Sequence, residues 1–174
     1  GERRQGGFGG GSVGAHAGAH AGGPIVGQPL VDLLKNRLFQ GIEDTVTSEM
    51  IASMQRISIP AGQHVISAGA TPGPFFIIEA GCLAVLVDGD QIGMLHSTDS
   101  FGEIGVLLTD KASADVVAIE PCSIFAILRP RLLQLLAKSP LLYAKLHAQG
   151  EERMRRASAL PSRAGVGGLQ GLQG

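Results

Sequence analysis

The residues best placed to do chemistry lie in the stretch Phe101-Gly102-Glu103-Ile104-Gly105, where one carboxylate stands between two glycines. The stretch begins with small residues and continues to Leu108 as one or two turns of helix. N–H groups at the start of a helix can hold an anion, because the helix dipole favours negative charge there. Gly102 has no side chain and lets the backbone come close to a ligand. We therefore treat this stretch as the candidate binding site.

Catalytic machinery is not predicted. The sequence shows no nucleophile–base pair, no acid pair and no cluster of metal ligands at a suitable spacing, so we expect a non-enzyme with no catalytic residue and no metal. His16 and His20 are four residues apart, which would suit a metal on a helix. The Gly-rich sequence around them does not hold a helix, however, so we do not expect this pair of histidines to bind a metal.

Composition limits the class of protein. The chain has 174 residues, enough for one domain with a core, and 44% of them are hydrophobic, which indicates a soluble globular protein. A net charge of −1 argues against a strongly basic nucleic-acid surface. Cys82 and Cys122 lie in apolar contexts, so we expect reduced core thiols in an intracellular, cytoplasmic protein. The chain begins with Gly, which leaves three possibilities open: a removed targeting segment, a location in an organelle, and a fragment of a longer protein. No apolar run approaches the roughly 20 residues of a membrane span.

The elements that would position the candidate site are mostly short strands separated by turn residues. Helices are expected over 30–38, 43–54 and from about 130 to 156, the last with a break at Ser139-Pro140. Val87-Asp88-Gly89-Asp90 predicts a hairpin, because Asp-Gly supports positive φ. Many short strands at this spacing favour a jelly roll or barrel. The strand candidates are Ile57–Ile59, His64–Ser67, Phe75–Glu79, Leu83–Val87, Gln91–Leu95, Ala114–Ile119 and Ser123–Leu128.

The order of these elements and turns resembles the cyclic-nucleotide-binding domain family, whose members include kinase regulatory subunits, catabolite activator proteins and gated channels. The resemblance implies a mostly β fold with flanking helices, a β-roll of the double-stranded β-helix or jelly-roll type. It covers most of residues 30–156. It is carried by Leu38-Phe39-Gln40-Gly41-Ile42, Ile59-Pro60-Ala61-Gly62, Ile66-Ser67-Ala68-Gly69, Phe76-Ile77-Ile78-Glu79-Ala80-Gly81 and Phe101-Gly102-Glu103-Ile104.

The resemblance assigns roles within the phosphate-binding cassette of the family. Gly102, Glu103, Ile104 and Gly105 would surround the ligand, with Glu103 accepting a hydrogen bond from the ribose 2′-OH. Gly105 takes the place of a small residue, usually Ala, whose N–H faces the phosphate. Two other interpretations of Glu103 stay open: a carboxylate that only favours the helix dipole, and a relic of an ancestral site.

The sequence departs from the family pattern at the residue that would bind the phosphate. Alignment on Phe101-Gly102-Glu103 puts Ala112 where the family has an Arg that forks onto the phosphate oxygens. Lys111 could compensate, but it is a flexible point charge and not a fork. Ser113 falls where some cyclic-GMP binders contact the guanine. Loss of a hydrogen bond to a charged group would weaken binding roughly tenfold to a hundredfold.

Two residues outside the cassette are also candidates. Tyr143 could stack on a base as the last helix closes over the roll, or it could simply pack on its own helix face. Ser158 follows Arg155-Arg156-Ala157, which resembles the consensus of cyclic-nucleotide-dependent kinases. Ser158 is therefore a candidate phosphorylation site, with a solvated tail as the alternative.

The sequence divides into three segments. Residues 1–28 and 158–174 are rich in Gly, so we expect flexible tails on either side of a domain over 29–157. The favoured hypothesis is a degenerate, non-enzymatic domain that acts as an interaction, assembly or regulatory module of a larger complex. The alternative is a domain that senses cyclic AMP or cyclic GMP. We expect no cofactor apart from such a weak ligand, and protein partners or a missing effector domain but no nucleic acid and no membrane insertion. A DNA-binding regulator would need a helix-turn-helix after residue 157.

Overall fold

Eight antiparallel β-strands form two four-stranded sheets in the described part of the chain. The structure is a computed structural model that describes residues 37–159. The first sheet has the strand order β1-β8-β3-β6 and the second has the order β2-β7-β4-β5. The strands are β1 Gln55–Ile59, β2 His64–Ile66, β3 Phe75–Ala80, β4 Leu83–Val87, β5 Asp90–Leu95, β6 Ser100–Phe101, β7 Asp115–Ala118 and β8 Cys122–Ile127.

Strand β3 is buried on both faces. Successive side chains point to opposite sides of a strand, so Phe76 and Ile78 enter the cluster between the sheets while Phe75 and Ile77 enter a second cluster against the helices. This double burial explains why β3 reads as a continuous apolar run and not as an alternating pattern. Strand β3 thus joins the interior of the roll to the helical layer.

The helices begin with a 3-10 turn, Arg37–Phe39. They continue as α1 Asp44–Ala52, α2 Glu103–Leu107, α3 Arg129–Lys138 and α4 Pro140–Ser158. The break between α3 and α4 has a clear local cause: the buried Ser139 accepts a hydrogen bond from the Leu142 N–H at 3.4 Å and Pro140 occupies the first turn. Apolar residues of the 3-10 turn, α1, α3 and α4 pack together against the first sheet.

The predicted fold class is confirmed: the structure is mostly β with flanking helices in a β-roll arrangement. The hairpin between β4 and β5 has positive φ at both Asp88 and Gly89, as an Asp-Gly turn requires. Sequence analysis missed β6, whose two residues are too few to show a periodicity. Of the helix predicted over 30–38, only the 3-10 turn is described; the rest, His16, His20 and nearly all of both tails lie outside the described residues.

Candidate functional site

Gly102 sets the backbone path into the candidate site. It lies between β6 and α2 with φ +96°, a backbone conformation that residues other than glycine rarely adopt. A Cβ atom at this position would be 2.7 Å from the carbonyl oxygen of Pro74, so the turn also has no room for one. The following residue, Glu103, is thereby turned toward the interior of the protein.

A cavity of about 350 Å³ lies beside this turn. Its wall is mostly apolar, and both sheets contribute residues to it. Of the residues assigned by the resemblance, all but one line it: Gly102, Glu103, Ile104, Gly105, Ala112 and Ser113. Lys111 is exposed and is not part of the wall. The structure therefore brings the two ends of the predicted cassette together around one space.

Ala112 is held firmly at the wall of this cavity. Its N–H donates to the carbonyl of Ala70 at 2.9 Å, and its own carbonyl accepts from the N–H of Gly69 at 2.8 Å. The methyl side chain carries no charge or donor. Gly105 lies against Pro72, and a Cβ atom on Gly105 would be 3.0 Å from Pro72 Cβ, so the Ala usual at this point of the family pattern would be crowded here.

Glu103 is the buried charge of the site, with 1% of its surface exposed. Arg153 of α4 donates from Nη1 to Glu103 Oε1 at 2.7 Å and also to the carbonyl of Ser100 at 2.7 Å. The other oxygen, Oε2, has no hydrogen-bond partner among the described residues. The pair makes the charges of this wall cancel, since a carboxylate and a guanidinium face each other at contact distance.

One face of α4 carries the residues that meet the cassette. Gly150 packs on α2, where a Cβ atom would be 2.8 Å from Leu108 Cδ1 and 3.5 Å from Glu103 Cγ. Gln149 donates to the hydroxyl of Ser100 at 3.1 Å. Arg153 follows Gly150 by three residues and so lies on the same face. Sequence analysis did not assign Gly150 or Arg153 to the site; a glycine inside a predicted helix was the signal of a close approach.

A second cavity, of about 650 Å³, adjoins the first at the C-terminal end of α4. The two share wall residues, including Leu95, Ile104 and Arg153. Ser158 lines the second cavity as the last residue of α4, and its hydroxyl donates to the Met154 carbonyl at 2.9 Å. The predicted phosphorylation site is thus an exposed helix end next to a cavity.

Tyr143 is not brought to the site. It is 45% exposed and lines neither cavity, and its ring contacts that of His147 of the same helix in a tilted arrangement, at a centroid distance of 5.6 Å. His64, the first residue of β2, also lines the first cavity, with Nδ1 3.7 Å from a carboxylate oxygen of Asp115.

The two cysteines are buried and free. Burial raises the pKa of the Cys82 thiol, as do the nearby carboxylates of Glu120 and Asp99. Burial also raises the pKa of Cys122. Among residues 37–159 no group of three His, Cys, Asp or Glu side chains could hold a metal ion, and no helix there is both long and apolar enough to cross a membrane.

Comparison with known proteins gives the chain relatives in one family. The family model described as cyclic nucleotide-binding domain matches residues 56–139. A regulatory subunit of cAMP-dependent protein kinase from Yarrowia lipolytica is 27% identical over 92 residues, which are 53% of this chain and 24% of the relative. A cyclic nucleotide-gated cation channel from Ictalurus punctatus is 26% identical over 145 residues, covering 79% of this chain and 21% of the channel. The chain therefore spans about a quarter or less of the length of these relatives.

Solved structures share the fold. The structure of PKAR CBD2 with bound Sp-2Cl-cAMPS superposes with a TM-score of 0.66 at 20% identity, over 75% of this chain and 89% of that one. The catabolite activator protein of Thermus thermophilus superposes with a TM-score of 0.60 at 25% identity, over 70% of this chain and 59% of that one. These likenesses support the β-roll fold of the described strands and helices.

Proposed function

Since residues 56–139 match the model of the cyclic nucleotide-binding domain family, we propose that this chain is a non-catalytic regulatory or assembly module that holds cyclic nucleotides weakly and acts through protein partners. The proposal rests on one observation. The cavity wall carries the methyl group of Ala112, the residue that the alignment on Phe101-Gly102-Glu103 equates with the family's phosphate-binding arginine. The neighbouring cation, Lys111, is exposed and outside the wall.

The energetic reason is the cost of removing a phosphate from water. An anion that enters an apolar cavity loses its hydration, and the loss is offset only where a charge or several donors replace the water. Arg153 is the one Arg or Lys among the described residues of this wall, and it already holds Glu103. The carboxylate would also repel a phosphate. We therefore expect dissociation constants for cyclic AMP and cyclic GMP above about 1 μM.

Titration by calorimetry tests the proposal. Ala112→Arg should strengthen cyclic-AMP binding at least about tenfold, because a guanidinium can fork onto the phosphate oxygens. Ala68→Arg is the matched control, since Ala68 is exposed, precedes Gly69, whose N–H donates to the Ala112 carbonyl, and is not part of the wall; it should change little. A dissociation constant below 1 μM for the unaltered chain would refute the proposal, and no gain from Ala112→Arg would mean that side chains block the cavity.

A second candidate function is cyclic-nucleotide sensing. It is favoured by the cavity itself, which remains open at about 350 Å³ with Gly102, Glu103 and Gly105 in its wall. Ligand pockets commonly have volumes of about 300–1,000 Å³. The same titration separates the two functions, because a sensor must bind its ligand in the unaltered chain.

The proposed partners are proteins, and we place the module inside the cell. The regulatory-subunit relative is supporting context for a role in a larger complex. We propose that the Gly-rich sequence segments 1–28 and 159–174 contact such a partner. Deleting either segment should weaken co-purification with a partner and leave the melting midpoint nearly unchanged. A lower midpoint with unchanged co-purification would show that the segments pack on their own domain.

A further inference from the structure

The wall of the first cavity has almost no net charge to offer a ligand. Its acidic group, Glu103, and its basic group, Arg153, face each other at 2.7 Å and neutralise each other. The histidine in the wall, His64, stands 3.7 Å from Asp115. Apolar side chains such as Phe76, Leu95 and Val116 make up much of the remainder. Such a surface suits an uncharged ring better than an ion.

The wall does hold a hydrogen-bond acceptor with capacity to spare. Glu103 Oε1 accepts from Arg153, whereas Glu103 Oε2 has no partner in the described part of the chain. A buried acceptor without a donor is unfavourable, and a ligand that brings a donor relieves it. Rotation about the last torsion of a Glu side chain is soft, so a ligand at the wall can reach this oxygen after a small turn of the carboxylate. A hydroxyl can supply the donor, but a phosphate brings only acceptors and a like charge.

We propose that this cavity binds an uncharged ring compound of nucleoside size that donates a hydroxyl to Glu103, in preference to the same compound carrying a phosphate. The inference deepens the proposed function, on which it rests, by naming the ligand class of the site. A sugar hydroxyl would meet Glu103 while the ring system lies against the apolar wall. The adjoining cavity, which shares Leu95 and Ile104 with the first, gives the ring room to extend.

The matched probes are adenosine and cyclic AMP, which share base and sugar and differ in the cyclic phosphate. Titration of the full chain by calorimetry should give adenosine a dissociation constant at least about tenfold lower than that of cyclic AMP. Glu103→Gln should weaken adenosine about tenfold or more, because the charged acceptor is lost. Glu79→Gln is the matched control: Glu79 is also a carboxylate held by an arginine at 2.7 Å, but it is not in the wall. It should leave adenosine binding unchanged.

Folding is checked by a melting curve for each variant. The Ala112→Arg variant gives a second test, since it should improve cyclic AMP and leave adenosine nearly unchanged. If neither adenosine nor cyclic AMP binds with a dissociation constant below 1 mM, this inference fails while the proposed function stands. If cyclic AMP binds below 1 μM in the unaltered chain, and Arg153→Leu abolishes it, Arg153 serves the phosphate and both proposals fail. Adenosine binding that is insensitive to Glu103→Gln would also overturn the inference.

Discussion

Arg153 and Glu103 form a 2.7 Å hydrogen-bonded ion pair that joins α4 to the turn at the mouth of the cavity, although the two residues are 50 positions apart. The carboxylate is buried, and the arginine side chain keeps 30% of its surface exposed. Gly150 allows the two side chains to meet, because its missing side chain lets α4 approach α2 closely.

We expect Arg153→Leu to lower the free energy of unfolding by about 2 kcal/mol, since a buried carboxylate would lose a charged hydrogen bond while the apolar stem of the side chain is kept. Chemical denaturation at neutral pH measures the change. The control is Arg156→Leu, which removes the exposed pair with Glu152 at 2.7 Å and should lower the free energy of unfolding much less, because solvent screens an exposed pair. Equal losses in the two variants would contradict the importance given to burial.

Gly81 should tolerate no side chain. It has φ +97°, and a Cβ atom there would be 2.6 Å from Cys122 Sγ and 2.9 Å from the Pro121 carbonyl oxygen. Gly81→Ala combines backbone strain with overpacking and should destabilise the domain by about 3 kcal/mol. Gly89→Ala has the same sign of φ but open space around it, so it isolates the strain, at about 1 kcal/mol. Equal melting midpoints for the Gly81→Ala and Gly89→Ala variants would refute the packing argument.

The acid limb of the stability curve should depend on Glu49, which ties α1 to α3. The hydrogen bond from Lys138, and more weakly that from Arg131, lowers the pKa of the Glu49 carboxyl. A lowered folded-state pKa gives stability that is fully present above the unfolded value of about 4.3 and is lost as the pH falls through the folded value. Glu49→Gln should therefore flatten the decline of the melting midpoint below about pH 4.3. Glu120→Gln, at an exposed residue outside the described ion pairs, should leave the decline intact.

The two thiols should react slowly in the folded protein. Burial raises the pKa of both Cys82 and Cys122, so little thiolate is present near neutral pH and the reagent has poor access. Alkylation by iodoacetamide at pH 8 should be far slower in the native chain than in urea. The chain has only two cysteines, so mass spectrometry counts both directly. Equal native and denatured rates would show that the region around β8 opens easily.

Most strand positions and the hairpin followed from the sequence because their causes are local. Asp88-Gly89 favours positive φ through the residues themselves, and Pro140 cannot continue the preceding helix but fits the first turn of the next one. The cassette start was also predictable, since Gly102 and Glu103 are neighbours in the chain and match the family pattern. These features determine where elements begin and end, and alignment on the cassette start predicts Ala112 at the phosphate position.

Only the tertiary structure decided what Glu103 touches and which way Tyr143 faces. The partner of Glu103 comes from α4, and the approach of that helix depends on Gly150 packing against Leu108, a contact between elements far apart in sequence. Tyr143 lies on α4 too, but it contacts His147 away from both cavities, because the rotation of a helix is set by all the residues it buries. Local sequence therefore determined the cassette, whereas long-range packing determined the charge balance inside it.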